Sequence, residues 1–118
     1  MKLYFVSRWG SPKEGPNGED TNFLIYADDI NEAGNLADNY LQYCPWLNCG
    51  DVNNFVSYIS ELGESDDVDK ATVLHGPWIA NAILRANLNK KSWERVYTNQ
   101  ENTKLEWVSI KKLYDKLP

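Results

Sequence analysis

The only histidine of the chain, His75, stands directly before a Gly-Pro pair in the run His75-Gly76-Pro77-Trp78. Proline is favoured at the first position of a helix, because an N–H would have no intrahelical partner there, so the pattern predicts a helix that begins at Pro77. His75 would then lie just ahead of the helix N-terminus, where unpaired N–H groups and the helix dipole favour an anion. Together with Trp78 and Arg95, it predicts a small-molecule or anion-binding site, or the centre of a minor enzyme.

Other chemical patterns in the sequence are incomplete. No serine lies in a Gly-x-Ser-x-Gly turn, which would present its hydroxyl as a nucleophile. The two cysteines, Cys44 and Cys49, are not spaced as Cys-x-x-Cys, and zinc needs about four ligands, so we interpret them as structural thiols. We therefore predict no metal, no cofactor and no catalytic residues, which favours a protein that is not an enzyme.

Charge is unevenly distributed along the chain. The net charge is −5, but residues 1–84 carry four basic and thirteen acidic side chains, whereas residues 85–118 carry eight basic and four acidic ones. The acidic excess argues against nucleic-acid binding, which needs a concentrated basic surface, and predicts a basic protein partner. The alternative is that the acidic residues only keep the protein soluble. The predicted partner surface consists of Asp28, Asp29, Glu61, Glu64, Asp66, Asp67 and Asp69.

Five tryptophans and seven tyrosines enlarge the apolar area that the chain can bury. Most of the tryptophans are expected in the core, but one or two exposed aromatic side chains would indicate a binding interface. Trp93 and Trp107 are the first candidates, because they lie among lysines and arginines in the sequence. Arg8, Arg85 or Arg95 would be able to stack on such rings.

The first half of the chain predicts two strands followed by a helix. Alternating apolar and aromatic residues predict strands at 2–9 and 21–27, and apolar residues at helical spacing predict a helix at about 30–43. Asp29, followed three residues later by Glu32, matches a capping box with Asp in place of the usual Ser or Thr. This pair therefore marks the start of the helix.

The second half predicts mostly strands. Residues 55–62 fit both a strand and a helix pattern, and their β-branched and aromatic content favours a strand. An acidic turn and a short apolar run at 71–74 follow, and then the helix after Pro77. Residues 93–98 and 104–110 alternate in polarity on either side of a polar turn, which predicts a terminal hairpin.

These elements indicate a single α+β domain over residues 1–118. We expect a mainly antiparallel sheet of about five strands with two helices packed on one face. No apolar run approaches 18 residues, so no transmembrane helix is expected. The first residues turn polar too early for a signal peptide, which favours a cytoplasmic protein of bacterial or phage origin.

The expected function is that of a small acidic protein-binding module without enzymatic activity, with the general character of an inhibitor or immunity protein. The alternative is the small-molecule or anion-binding site around His75-Gly76-Pro77-Trp78. A third hypothesis is a homodimer that pairs through the edge of the C-terminal hairpin, because an uncovered edge strand invites another strand. Neither nucleic acid nor a membrane is an expected partner.

Overall fold

The computed structural model describes residues 1–9, 20–42, 55–80 and 91–110 of the 118. These residues form six strands and one helix. In chain order the elements are β1 (Lys2–Arg8), β2 (Asp20–Ala27), α1 (Ile30–Leu41), β3 (Tyr58–Glu64), β4 (Thr72–Ala80), β5 (Ser92–Tyr97) and β6 (Leu105–Ser109).

All six strands belong to one antiparallel sheet, in the order β4-β2-β1-β3-β5-β6. The first two strands of the chain lie inside the sheet, and β4 and β6 form its edges. Phe5 of the inner strand β1 lies opposite Leu24 of β2 on one side and Ser60 of β3 on the other. The α+β prediction is confirmed in outline, but the sheet has six strands instead of five, and the described residues contain one helix instead of two.

Helix α1 begins at the predicted residue and ends at Leu41, two residues earlier than predicted. Asp29 is its N-cap, and the Asp29 carboxylate accepts a hydrogen bond from the backbone N–H of Glu32 at 2.9 Å. The Glu32 carboxylate accepts one from the backbone N–H of Asp28, also at 2.9 Å. The capping box is therefore present, with its return bond one residue earlier than in the usual motif.

Helix α1 covers one face of the sheet. Small residues allow a close approach, since Ala33 and Ala37 are fully buried and a Cβ added at Gly34 would lie 3.2 Å from the Trp107 ring. The core between helix and sheet contains Tyr4, Val6, Phe23, Ile25, Ala27, Ala33, Ala37, Leu41, Val56 and Ile59. A second, smaller apolar cluster on the other face of the sheet contains Phe5, Tyr58 and Ile110.

The prediction of a helix beginning at Pro77 was wrong, because Thr72–Ala80 is a single strand, β4. Proline is tolerated in a strand at the edge of a sheet, which is where β4 lies. Gly76 has φ +115° and is joined to Pro77 by a cis peptide bond. A Cβ at Gly76 would lie 2.6 Å from the carbonyl oxygen of Asn22 in β2, so glycine is required for this close approach. Pairing with β2 overrides the local helix-start signal.

The remaining strand predictions were close to the observed bounds. The segment 55–62, for which a strand was favoured over a helix, overlaps β3, which begins and ends later in the chain, and β5 and β6 form the predicted hairpin. Asn99 organises its turn, because the Asn99 side-chain oxygen accepts hydrogen bonds from the N–H groups of Thr103 at 3.0 Å and Lys104 at 3.1 Å. The loops predicted at 10–20 and 45–54 lie outside the described residues, apart from Asp20, which begins β2.

In the part of the chain that the structure describes, no helix is both long and apolar enough to cross a membrane.

Candidate protein-binding surface

The antiparallel strand order brings most of the predicted acidic residues to one end of the sheet. This end holds the starts of β1 and β4 and the last residues of β2 and β3, since Lys2 pairs with both Ala27 and Glu64. Six carboxylates lie there, and all six residues are exposed. We call this group the acidic end: Asp28, Asp29, Glu64, Asp66, Asp67 and Asp69.

The connection from β3 to β4 carries half of the acidic end. It is held against the start of β1, because the backbone N–H of Ser65 donates to the carbonyl oxygen of Met1 at 2.8 Å, and the Met1 ammonium donates to the Ser65 carbonyl oxygen at 2.8 Å. The Ser65 hydroxyl accepts a hydrogen bond from the N–H of Asp67 at 3.3 Å. The acidic side chains therefore project from an anchored turn.

Glu61 was predicted with this group but differs from it. Its side chain is only 11% exposed and forms ion pairs with Lys2 at 3.2 Å and Lys91 at 3.0 Å. Burial alone would raise the pKa of Glu61, but hydrogen bonds and charge from the two lysines outweigh it and hold the pKa below its ordinary value. Glu61 thus joins β1, β3 and the start of β5, and its charge is neutralised internally.

The negative charge at this end of the sheet also affects the core. Tyr4 is buried, and its pKa is raised to about 12, first by burial and then by the charges of Glu61, Asp29 and Asp28. These carboxylates disfavour a tyrosinate beneath them, which is the effect expected where negative charge accumulates. Asp28 and Asp29 of the acidic end therefore help to raise the pKa of a buried side chain.

Large exposed apolar side chains lie on the sheet face opposite α1. Leu62 of β3 is 53% exposed and Leu74 of β4 is 54% exposed. Side-chain alternation places both on the face that the helix does not cover, where half-buried side chains lie between them on β1 and β2. We call this patch the leucine face: Leu3, Leu24, Tyr26, Leu62 and Leu74.

The anion-binding site predicted at His75 lacks the helix on which it depended. His75 is exposed in the edge strand β4, and its backbone lies opposite Leu24. Trp78 belongs to the same strand and pairs with Asn22, but the placement of its side chain lies outside what the structure describes. Because the backbone is extended here, the N–H groups of a helix N-terminus are missing from the site.

Arg95, Trp93 and Trp107 make contacts within the protein itself. Both tryptophans are partly buried against the core under α1. The Arg95 guanidinium lies 4.5 Å from the centre of the Trp107 ring and 5.2 Å from that of Phe55, and it forms an ion pair with Asp38 of α1 at 3.2 Å. The prediction that Arg95 stacks on an aromatic ring is met by an intramolecular contact. This contact ties the hairpin to the helix.

A row of buried polar side chains, which no sequence pattern predicted, crosses the face of the sheet opposite α1. The Ser7 hydroxyl donates to the side-chain oxygen of Asn22 at 2.8 Å. The Tyr58 hydroxyl donates to the hydroxyl of Ser92 at 3.1 Å, which in turn donates to the hydroxyl of Ser60 at 3.0 Å. Each of these hydrogen bonds links side chains on neighbouring strands, so the row helps to hold the strands of the sheet together.

Metal-binding arrangements are not seen in residues 1–9, 20–42, 55–80 and 91–110, where no three His, Cys, Asp or Glu side chains are placed to hold an ion. The carboxylates of the acidic end are spread along the sheet end and do not converge on one point. Cys44, Cys49 and Arg85 lie outside the described residues. Arg8 is fully buried in β1.

The leucine face was not predicted from the sequence, because the strand order that brings its four strands together depends on pairing between distant segments. A glycine next to each exposed leucine segment was the available signal, since a glycine inside a strand often marks a bulge. Gly63 follows Leu62 directly, and Gly76 lies two residues after Leu74. Nothing in the local pattern, however, shows that the two leucines share a face.

Comparison of this chain with protein-family models, with curated proteins and with solved structures gave no match.

Proposed function

We propose that this chain is a protein-binding module without enzymatic activity, and that its acidic end binds a basic protein partner. The observation that supports the proposal is the gathering of six exposed carboxylates from the β2–α1 and β3–β4 connections and the end of β3. In the described part of the chain none of these six carboxylates forms an ion pair, whereas the buried Glu61 has two. The free negative charge is therefore directed towards solvent.

Concentrated charge of one sign raises the local concentration of an oppositely charged partner and speeds the encounter between them. The anchored turn after β3 keeps its carboxylates in place without a partner, so less ordering is needed on binding. An inhibitor or immunity-type protein from the cytoplasm of a bacterium or phage would use such a surface, because it acts by blocking a partner and needs no catalytic residues.

The test is a comparison of the wild-type chain with the variant Asp66→Asn/Asp67→Asn. Each is immobilised and exposed to a lysate of the source cell at low and moderate salt, and the captured protein is then purified for kinetic measurement. We expect one stoichiometric basic protein that is released as the salt concentration rises. At low salt its association rate with the variant should fall about threefold or more, with little change in the dissociation rate.

The matched control is Glu101→Gln/Glu106→Gln, which removes the same charge from the hairpin at the other end of β5. The control should associate with the partner as fast as the wild type. Equal association rates for both variants, or the absence of any partner whose binding weakens with salt, would overturn the proposal.

A homodimer through the C-terminal hairpin is a second proposal, supported by the position of β6 at the edge of the sheet. Sedimentation velocity over a wide concentration range tests it. A dimer that dissociates when proline replaces Leu105, an exposed residue of β6, would support strand pairing, and a monomer at every concentration would contradict it.

A further inference from the structure

Leu62 and Leu74 are the most exposed large apolar side chains among the described residues. Single exposed leucines are ordinary, but two on the same face with half-buried apolar neighbours between them form a patch. Leu3 of β1 and Tyr26 of β2 are direct backbone partners and lie between the strands that carry the two leucines. The leucine face is therefore a continuous surface across four strands.

Both exposed leucines are the extra residues of β-bulges. In β3, Tyr4 lies opposite Glu61 and Leu3 lies opposite Gly63, so Leu62 is inserted between two paired positions. A bulge redirects a side chain and increases the local twist of the strand.

The same irregularity occurs on the other side of the patch. In β4, Ile25 lies opposite Val73 and Leu24 lies opposite His75, so Leu74 is inserted in the same way. The two strands that flank the central pair thus each present an additional leucine to solvent on the face that α1 leaves free.

The leucine face borders the acidic end. The chain between the two leucines contains the end of β3 with Glu64 and the β3–β4 connection with Asp66, Asp67 and Asp69, which lie at the end of the sheet. Apolar and acidic surfaces are therefore contiguous. This combination of an apolar centre and a charged rim is the usual anatomy of a protein-binding site.

We propose that the leucine face docks an amphipathic helix of the basic partner, with the apolar side of the helix on the leucines and its lysine or arginine side chains against the acidic end. The inference rests on the proposed function and specifies the contact surface and the form of the partner. Because the patch spans three strand spacings of about 4.8 Å each, or about 14 Å, it is wide enough for one helix of ~10–12 Å diameter. The helix would form a third layer on a sheet that α1 already covers on its other face.

The charge of the rim argues against a second copy of this chain as the occupant. A twofold interface uses the same patch on both subunits, so it would bring the carboxylates of two acidic ends around one contact. Like charges at an interface weaken association, whereas the basic face of an amphipathic helix meets the rim with the opposite sign.

The experiment uses a helix-forming peptide of about 18 residues that contains only leucine, lysine and alanine in an amphipathic arrangement. A scrambled peptide of the same composition, with its leucines distributed around the helix, is the peptide control. Binding of each labelled peptide is measured by fluorescence anisotropy for the wild type and for Leu62→Ser/Leu74→Ser. The matched protein control is Tyr97→Ser/Leu105→Ser, which removes two exposed apolar side chains that face each other on the hairpin.

We expect the wild type to bind the amphipathic peptide at least tenfold more tightly than it binds the scrambled peptide. The leucine variant should lose at least tenfold in affinity, and the hairpin variant should stay within about twofold of the wild type. The leucines are exposed, so both variants should fold, and their circular dichroism and thermal melting should match the wild type.

The outcomes separate this inference from the proposed function. If Leu62→Ser/Leu74→Ser binds the peptide as the wild type does while Asp66→Asn/Asp67→Asn loses affinity, the inference is overturned and the proposed function stands. Loss in the leucine variant alone, with the acidic variant unchanged, supports the docking face and counts against the acidic end. A wild-type dimer that the leucine substitutions abolish would make the occupant a second copy and overturn the inference.

Discussion

At the scale of single residues, the role of a carboxylate in this protein depends on its neighbours. Glu61 is nearly buried and held by two lysines, which lower its pKa. Glu94 is half-buried in β5, and burial raises its pKa. Asp38 accepts a hydrogen bond from the N–H of Val56 at 2.8 Å and pairs with Arg95. These three carboxylates belong to the structure, whereas the six of the acidic end form no ion pair in the described part of the chain, although Asp29 also caps α1.

Glu61→Gln should reduce the free energy of unfolding by about 1 kcal/mol at pH 7, because charge-assisted hydrogen bonds from two lysines are replaced by neutral ones. The folded pKa of Glu61 lies below its ordinary value of 4.5, so its contribution is complete above pH 4.5 and is lost as the pH falls through the folded value. The difference between wild type and variant, measured by denaturant unfolding, should therefore close in acid. A difference in unfolding free energy that persists unchanged down to about pH 3 would contradict the assigned ion pairs.

Gly76→Ala should destabilise the protein by about 2–4 kcal/mol, because a left-handed backbone and a backbone contact both exclude a Cβ there. The φ of Gly76 is +115°, and its Cβ would lie 2.6 Å from the Asn22 carbonyl oxygen. Gly63→Ala is the control, since a Cβ at Gly63 meets nothing within 4 Å. The stabilities of both variants are measured by thermal unfolding. Equal losses of stability would show that the close approach between Gly76 and the Asn22 carbonyl oxygen is unimportant.

At the scale of elements, the hairpin is attached to the rest of the fold through one arginine. Arg95 joins β5 to Asp38 of α1, and its guanidinium contacts the rings of Phe55 and Trp107. The Arg95 backbone N–H also donates to the Ser57 carbonyl oxygen at 2.8 Å. Helix, hairpin and the segment before β3 therefore meet at this side chain, so its loss should loosen all three together.

Arg95→Met should lower the free energy of unfolding by about 2 kcal/mol, because it keeps an apolar stem but leaves the partly buried Asp38 without its cation. Arg95→Lys should recover little, since an ammonium lacks the planar group that stacks on aromatic rings. A double-mutant cycle with Asp38→Asn, measured by urea unfolding, should give a coupling energy of about 1 kcal/mol or more. Additive losses would mean that the ion pair contributes nothing.

At the scale of the whole molecule, the acidic end should reduce the stability of the protein, although we propose that it binds a partner. Six exposed carboxylates at one end of the sheet repel one another, and nothing in the described residues pairs with them. Surfaces kept for a partner commonly have this property, because the compensating charge arrives only on binding. Stability and binding should therefore respond in opposite directions when charge is removed here.

Asp66→Asn/Asp67→Asn should raise the free energy of unfolding by about 0.5 kcal/mol at low salt, and the gain should shrink as salt screens the repulsion. Glu101→Gln/Glu106→Gln should give no such gain, because Glu106 is paired with Lys104 at 3.1 Å. Chemical unfolding at two salt concentrations distinguishes the variants. A loss of stability in the first variant would show that its carboxylates make structural contacts.

Local patterns were sufficient to predict several elements of the fold from the sequence. Alternation predicted β1, β2 and the hairpin, because period-two polarity is a property of the strand itself. Asp29 and Glu32 predicted the start of α1, because a capping box acts within one turn. The acidic segments were also visible in the sequence, since charge composition needs no fold.

Tertiary structure decided the features that depend on partners distant in the chain. Pairing with β2 made Thr72–Ala80 a strand, although Gly76-Pro77 carries a local helix-start signal. Strand order brought two acidic segments, 28–29 and 64–69, to one end of the sheet and placed Glu61 in ion pairs with Lys2 and Lys91. Strand order placed Leu62 and Leu74 on one face of the sheet, each at a bulge. Each outcome follows from strand register between remote segments, and the free energy of such long-range pairing is not contained in any short window of sequence.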